Sequence, residues 1–491
     1  MTILLKKVAT LLSVVLVLLA VVVVTRTARY AYAVSGVEPV AEAAIPSGVA
    51  ERLAGAIRIP TISHEDSAEF NAQAFKDLHA YLSDVFPRVH ANLRREAVGE
   101  YSLLYTWQGT NPSLKPMLLM GHLDVVPVES GTESEWQEDP FGGRIDQNFI
   151  WGRGAIDNKS AVLGTLEAVE ALLAEDFQPT RTVYLAFGHD EEVGGARGAR
   201  EIASVLRGRG VQLELVLDEG GVIGDGLLPG VSAPIALIGV AEKGFASVEL
   251  STRVAGGHSS LPPRETAIGI LSAAVARLET SSMPPRFDGA TQQLFERVGP
   301  LFPISQRVLF ANLWLTRPLV TRILATAPAT NAMVRTTTAP TIFQAGTKDN
   351  VLPTSARAVI NFRIQPGDSV AGVVGHVREV VDDDRIDVKI AGKFSAEPSE
   401  VSSNESAMFQ TLEKSIRKVA PDTVVAPYLV VVVTDARYYS DLTENSFRFL
   451  PIRLESDDLK RMHGIDERLG IQEYETAVRI YRQLLIDASR R

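Results

Sequence analysis

Short, largely apolar runs that end on an acid or an imidazole constrain this chain more than any other feature. Met117-Leu118-Leu119-Met120-Gly121 ends on His122, and Leu213-Glu214-Leu215-Val216-Leu217 ends on Asp218. Thr182-Val183-Tyr184-Leu185-Ala186-Phe187 is followed, after a Gly188-His189-Asp190 bend, by Glu191-Glu192. Such runs lack the in-out alternation of a half-exposed strand and read as parallel strands buried on both faces. In open α/β sheets, sites form where strands of this kind end.

Between the runs lie amphipathic helical patterns. Val162, Leu163, Leu166, Val169 and Leu173 recur at helical spacing and predict a helix over 159–174. Strands alternating with helices predict an α/β fold, with a central mixed, mostly parallel sheet flanked by helices. After Asp218 the alternation gives way to a segment with β-rich ends, 246–250 and 356–362, and a helix predicted over 265–279. Residues 242–395 read as an inserted α+β domain, interrupting a main domain of residues 46–241 and 396–491. No internal repeat or low-complexity tract is present.

The 491 residues suffice for two or three domains. A formal net charge of -10 argues against a general nucleic-acid binder, which needs clustered Lys and Arg. There is no cysteine, so disulfides and thiolate metal sites are excluded and any metal ligand is nitrogen or oxygen. Near the N-terminus Lys6 and Lys7 precede an uncharged run from Val8 to Thr25, long enough to cross a bilayer core. Residues 1–34 are therefore read as a signal anchor. Ala31-Tyr32-Ala33 has the small-x-small form of a cleavage site, so a cleaved signal peptide competes with that reading, and a buried soluble helix is a third. Both leading readings put the remainder outside the cytoplasm, anchored or secreted.

Each chemical motif is ambiguous alone. Gly121-His122-Leu123-Asp124 places a carboxylate two residues from an imidazole, suited to a ligand histidine with an orienting acid. By itself it reads first as a surface or capping histidine. Asp157, ending Trp151-Gly152-Arg153-Gly154-Ala155-Ile156-Asp157, reads equally as the N-cap of the 159–174 helix. Three adjacent acids, Asp190-Glu191-Glu192, suit a solvated loop or a cation site. Asp218-Glu219-Gly220-Gly221 and His463-Gly464-Ile465-Asp466-Glu467 are no clearer in isolation.

Jointly, and in this order, these motifs resemble the co-catalytic zinc metallopeptidases of family twenty, which include carboxypeptidase S, the aminoacylases and bacterial glutamate carboxypeptidase. The resemblance runs from about residue 50 to the C-terminus and extends through Gly257-His258-Ser259-Ser260-Leu261-Pro262-Pro263 and Asn361-Phe362-Arg363-Ile364-Gln365-Pro366-Gly367. Within the family it leans toward the branch that makes and cleaves N-fatty-acyl amino acids, through Pro112–His122, Gly188–Glu192 and Arg335-Thr336-Thr337-Thr338-Ala339.

The resemblance implies a di-zinc exopeptidase fold with the inserted domain as lid or dimerisation domain, and a possible homodimer through it. It implies two Zn²⁺ per subunit, bridged by Asp157, with His122 and Asp218 completing one site and Glu192 and His463 the other. The oxygen and nitrogen ligand set leaves Mn²⁺ and Co²⁺ open. Asp124 would orient His122, Glu191 would be the general base, and His258 would stabilise the oxyanion. Asn350 and Arg363 match the family's substrate-binding pair, and Arg437 is a further candidate for the substrate carboxylate, although either Arg also suits a structural ion pair. A cis Asp157-Asn158 bond is also implied.

Three functions follow: an amidohydrolase that cleaves and reversibly forms N-acyl amino acids, a carboxypeptidase or dipeptidase on short peptides, and a dead membrane-anchored binding protein. The last would be expected to lack a ligand or Glu191, and none is missing. The apolar runs 308–315 and 319–324 could line an acyl pocket but read first as buried core.

Overall fold

Strands buried on both faces require every backbone polar group to be met by a neighbouring strand, and the apolar runs meet this demand by lying side by side. Met117–His122 pairs in parallel with Val183–Gly188 on one side and Leu215–Asp218 on the other, and all three strands are buried throughout. The computed structural model describes residues 2–32, 36–64, 67–392 and 394–489. The chain divides into two compact units: residues 37–227, 232–243 and 399–491 form the larger, and residues 1–36, 228–231 and 244–398 the smaller.

The larger unit is built on a ten-stranded mixed sheet. From one edge its order runs Arg94–Val98, Ser102–Trp107, Val183–Gly188, Met117–His122, Leu215–Asp218, Ser446–Arg448, Ile235–Glu242, Ile223–Asp225 and Arg453–Glu455, with Val424–Val430 also paired to Ile235–Glu242. From Met117–His122 the chain places its next two sheet strands on opposite sides, so the strand order reverses beside His122. This is the switch point at which open α/β sheets leave a crevice. The Lys159–Ala174 helix spans the residues its periodicity predicts and packs on Met117–His122 and on the C-terminal Ile471–Ser489 helix. Its N-cap residue is Asn158, which sets aside the capping reading of Asp157.

The smaller unit has a four-stranded antiparallel sheet, ordered Thr337–Ala345, Ser355–Ile364, Gly244–Arg253 and Ile386–Ile390. The predicted 265–279 helix appears as Ala267–Thr280, started by Thr266, whose hydroxyl accepts the Gly269 N–H. With Val370–Val381 it supplies Leu271, Ala274, Val373 and Val377 to a core completed by Val248, Leu250, Ile360 and Phe362.

Between Ala267–Thr280 and Thr337–Ala345 lie four further helices, Gly289–Val298, Ile304–Ala311, Leu313–Leu324 and Pro328–Val334. Here the structure corrects the expectation of buried core over 308–315 and 319–324. Leu313, Val320 and Leu324 face inward, whereas Trp314, Leu315, Leu319 and Ile323 are 47–54% exposed. The runs are apolar on both faces of a helix, and this unit covers only one of them.

The Thr2–Arg29 helix groups with this smaller unit. It is uncharged all round from Val8 to Thr25 and exposed over most of that stretch. Only its last turns dock, through Arg26 and Thr27. The cleavage-like site ends at Ala33, outside the described residues.

Phe362 is fully buried at the centre of the smaller unit. Phe362→Ala should destabilise that unit by about 3–5 kcal/mol, read as a lower urea midpoint for its unfolding.

Candidate metal centre

Five side chains from five stretches of the larger unit converge at the switch point. His122 Nε2 lies 2.9 Å from Asp157 Oδ1 and 3.2 Å from Glu219 Oε1. His463 Nε2 lies 3.0 Å from Asp157 Oδ2 and 3.3 Å from Glu192 Oε2. Asp157 thus turns one oxygen to each imidazole, and two three-residue groups, His122-Asp157-Glu219 and Asp157-Glu192-His463, share it. The Asp157-Asn158 peptide bond is cis.

At one position the arrangement departs from the expected set. The third member of the His122 group is Glu219, not Asp218. Asp218 closes the Leu215–Asp218 strand and Glu219 follows it, and of the two it is the Glu219 carboxylate that lies beside His122. Asp218 accepts the Ala436 N–H at 2.7 Å. Glu219 also takes a short hydrogen bond from the Asn158 amide. The sequence shows two adjacent acids here, but composition does not tell which of two neighbours faces inward.

The surrounding carboxylates organise backbone. Asp124 accepts the Ser63 hydroxyl at 2.7 Å and the amides of Glu191 and Glu192 at 3.2 and 3.1 Å. It orients His122 chiefly through its carbonyl, 2.9 Å from Nδ1, with its carboxylate at 3.4 Å. A proton on Nδ1 serves that carbonyl and leaves the Nε2 lone pair facing Asp157 and Glu219.

Glu467, a residue not singled out in the sequence, is fully buried. One of its oxygens accepts the amides of Gly154, Ile156 and Asp157 at 2.8–3.1 Å, and the other pairs with Arg153 at 2.5 Å. It thereby fixes the loop that presents Asp157. Gly154 is needed there: its φ is +90°, and a Cβ would come within 2.8 Å of Val125.

His189 stands apart from the imidazole pair. It bonds the Ser102 hydroxyl at 2.7 Å within a cluster of Phe70, Phe75 and Tyr101. Asp190 accepts the Arg197 N–H at 2.8 Å. Of the three adjacent acids, Glu191 and Glu192 remain for chemistry.

Arg437 donates to the carbonyls of Thr434 at 2.5 Å and Gly194 at 2.8 Å. These contacts tie the turn after Glu191-Glu192 to the Asp435–Tyr439 segment.

His258, Asn350 and Arg363 belong to the smaller unit. There the structure brings the first two together: Gly257–His258 pairs with Val351–Leu352, and the Ser259 N–H donates to the Asn350 carbonyl at 3.2 Å. Arg363 lies apart on Ser355–Ile364, over the Phe245 ring.

The electrostatics fit bound cations. Burial, with Asp157 close by, pushes the Glu219 carboxyl up to about 8. Burial also raises Glu191 well above the carboxylate range, reinforced by Asp435, Glu219 and Glu192 and opposed by His122. Hydrogen bonds to Asp157 and Glu192 raise His463 to about 10. For His122, burial favours the neutral ring, but Glu219, Asp124 and Asp157 outweigh it. Glu192 Oε1 is buried without a hydrogen-bond partner among the described residues. Protons on the imidazoles and Glu219 thus offset the charge that divalent ions would neutralise.

The fold and the sequence are both met in known proteins. Residues 118–487 match the model for peptidase family M20/M25/M40. The chain belongs to the M20/M25/M40 peptidase family. It is 45% identical over 441 residues to a probable carboxypeptidase S-like 2 of Dictyostelium discoideum, covering 89% of this chain and 84% of that protein. It is 42% identical over 446 residues to the N-fatty-acyl-amino acid synthase/hydrolase PM20D1 of Mus musculus, covering 90% and 88%. Among solved structures, an M20 family metallo-carboxypeptidase, Sso-CP2 from Sulfolobus solfataricus, superposes with a TM-score of 0.65 at 18% identity, covering 91% of this chain and 100% of that one. M20 membership makes this chain a metal-dependent hydrolase of the peptidase and amidohydrolase type.

Two outcomes are expected. Glu219→Gln should lower metal affinity by more than about a hundredfold, beyond the ~10- to 100-fold cost of losing a supporting residue, while Asp218→Asn retains metal, as read by metal content after dialysis. Because His463 and Glu219 hold protons up to about 10 and 8, cation binding must release protons and weaken as pH falls. Titration calorimetry in buffers of different ionisation enthalpy would measure that release.

Proposed function

We propose that this chain is a di-zinc amidohydrolase that cleaves, and by mass action forms, the amide bond of N-acyl amino acids, N-fatty-acyl amino acids in particular. The observation that carries the reading is the division of Asp157 between two imidazole-carboxylate groups. Such sharing suits two neighbouring cations, His122 and Glu219 holding one and Glu192 and His463 the other. Nitrogen and oxygen ligands suit Zn²⁺ and are compatible with Mn²⁺ or Co²⁺.

Bound in this way, divalent ions would polarise the amide carbonyl and ease deprotonation of water at neutral pH. The protein's own part is proton movement. Glu191, whose affinity for protons is raised by burial and acidic neighbours, takes a proton from the attacking water as the new C–O bond forms. It returns that proton to the amine nitrogen as the C–N bond breaks. Asp124 holds Glu191 and Glu192 by their main-chain amides, so the proton acceptor and a ligand are set by one buried carboxylate. In this reading His258 stabilises the oxyanion, and Asn350 and Arg363 bind substrate, as the family resemblance implies.

The substrate class rests on similarity to N-fatty-acyl-amino acid synthase/hydrolases from several vertebrates and on the apolar Thr2–Arg29 helix. That helix is long and apolar enough to cross a membrane, and we read it as an anchor with the catalytic unit outside the cytoplasm. An N-fatty-acyl amino acid is an amphiphile that concentrates at such a surface. Similarity to carboxypeptidase S-like proteins favours peptide cleavage as the second reading.

Purified protein assayed with N-oleoyl-phenylalanine and a dipeptide panel should hydrolyse the former faster, lose activity to chelator and regain it with zinc. Faster dipeptide cleavage would select the second reading, and full turnover by metal-free protein would refute both. Glu191→Gln should retain metal and lose about 10²- to 10⁴-fold in turnover, the usual contribution of a general base, whereas Asp157→Asn should lose metal.

A further inference from the structure

The exposed apolar face of Leu313–Leu324 does not belong to the hydrolytic site, and its place in the fold indicates what covers it. Trp314, Leu315, Pro318, Leu319, Arg322 and Ile323 are all exposed and recur with helical spacing, so they form one continuous stripe. The opposite side is held in the smaller unit by Leu313, Val320 and Leu324. Neighbouring helices are fixed by aromatic packing, with Phe310 stacked on Phe295 at 4.9 Å and close to Phe302 at 5.3 Å. The stripe is therefore mounted on a rigid base.

That base is joined directly to the N-terminal helix. Arg26 donates to the Ala311 carbonyl at 3.3 Å, and the Asn312 amide donates to Thr27 Oγ1 at 3.1 Å and the Val23 carbonyl at 3.4 Å. Asn312 is the fully buried residue at which Ile304–Ala311 turns into Leu313–Leu324. The uncharged run Val8–Thr25 rises about 27 Å at 1.5 Å per residue, close to the ~30 Å of a bilayer's hydrocarbon core. If that run crosses the core, Val23–Thr27 lies at its boundary, and Asn312 is held at the same depth. The stripe begins two residues later, at Trp314.

We propose that the Leu313–Leu324 helix is a second membrane contact, lying in the bilayer interface with Trp314, Leu315, Leu319 and Ile323 against acyl chains. This rests on the reading of Thr2–Arg29 as a membrane anchor. Tryptophan favours this depth because its ring is amphipathic. Arg322, on the edge of the stripe, reaches headgroup phosphate while its stem lies along apolar surface. Arg29, at the exit of the anchor helix, is a further exposed cation for the same layer. Together the two contacts fix the orientation of the smaller unit to the bilayer, which a single helix alone leaves free to swivel.

The protein carries its own reporter. Trp107, Trp136 and Trp151 are buried in the larger unit, whereas Trp314 is exposed. The full chain would be reconstituted into phosphatidylcholine vesicles containing phosphatidylglycerol, with or without bromine on the upper acyl carbons. Subtracting the emission of Trp314→Phe isolates the Trp314 signal. Brominated lipid is expected to remove most of that signal and vesicles to shield it from aqueous iodide. Leu319→Glu with Ile323→Glu, both at exposed positions, should restore emission and iodide access while the protein still floats with vesicles.

Trp314 that stays iodide-accessible and unquenched by brominated lipid in floating protein would overturn the second contact and leave the anchor standing. Protection from both quenchers, with cross-linking between chains, would assign the stripe to a second copy and overturn the proposal. Protein that fails to float after an alkaline wash would refute the anchor and the proposal with it.

Discussion

The larger unit is organised around a half-buried excess of negative charge. Asp157, Glu191, Glu192 and Glu219 are brought together against two imidazoles, and each carboxylate raises the cost of ionising the next. An apolar core cannot hold such a group without compensation. The compensation comes partly from amide dipoles and partly from cations, and the fold supplies sites for both. Strand ends at a switch point place the ligands, while loops between strands turn their N–H groups toward the supporting carboxylates.

Three buried acids outside the ligand set do most of that positioning. Asp124 gathers the Glu191-Glu192 turn, Asp190 holds the Arg197 amide, and Glu467 fixes the loop ahead of Asp157. Each acts as an acceptor for backbone, a role in which an ionised carboxylate is strong. Glu467 and His463 lie on one short segment, so that segment supplies both the imidazole beside Asp157's second oxygen and the brace for Asp157's own loop. Damage to either function would therefore disturb the same carboxylate.

The strands and the Lys159–Ala174 helix were legible in the sequence because burial on both faces leaves a compositional trace. His122, Asp157, Glu192 and His463 were ambiguous by position and stood out only through the family resemblance, and the structure brings them together. The choice between Asp218 and Glu219 was not legible, since it depends on which of two adjacent side chains the end of a strand turns inward. Glu467 was hidden because its partners, the Gly154–Asp157 amides, are remote in sequence. The 308–324 segment was misread for a different reason: apolar residues announce that a surface will be covered, and they do not say whether protein covers it.

The route of the chain through its two units has a consequence for biosynthesis. His122, Asp157, Glu192 and Glu219 all precede the 244–398 segment, and His463 follows it. At ordinary elongation rates of about 5–20 residues per second, the ribosome needs roughly ten to fifty seconds to pass from Glu219 to His463. Throughout that interval the nascent chain carries one of the two imidazole-carboxylate groups whole and all but the last member of the other. A hydrolase made in this order stays incomplete until the smaller unit and the segment that follows it have been made.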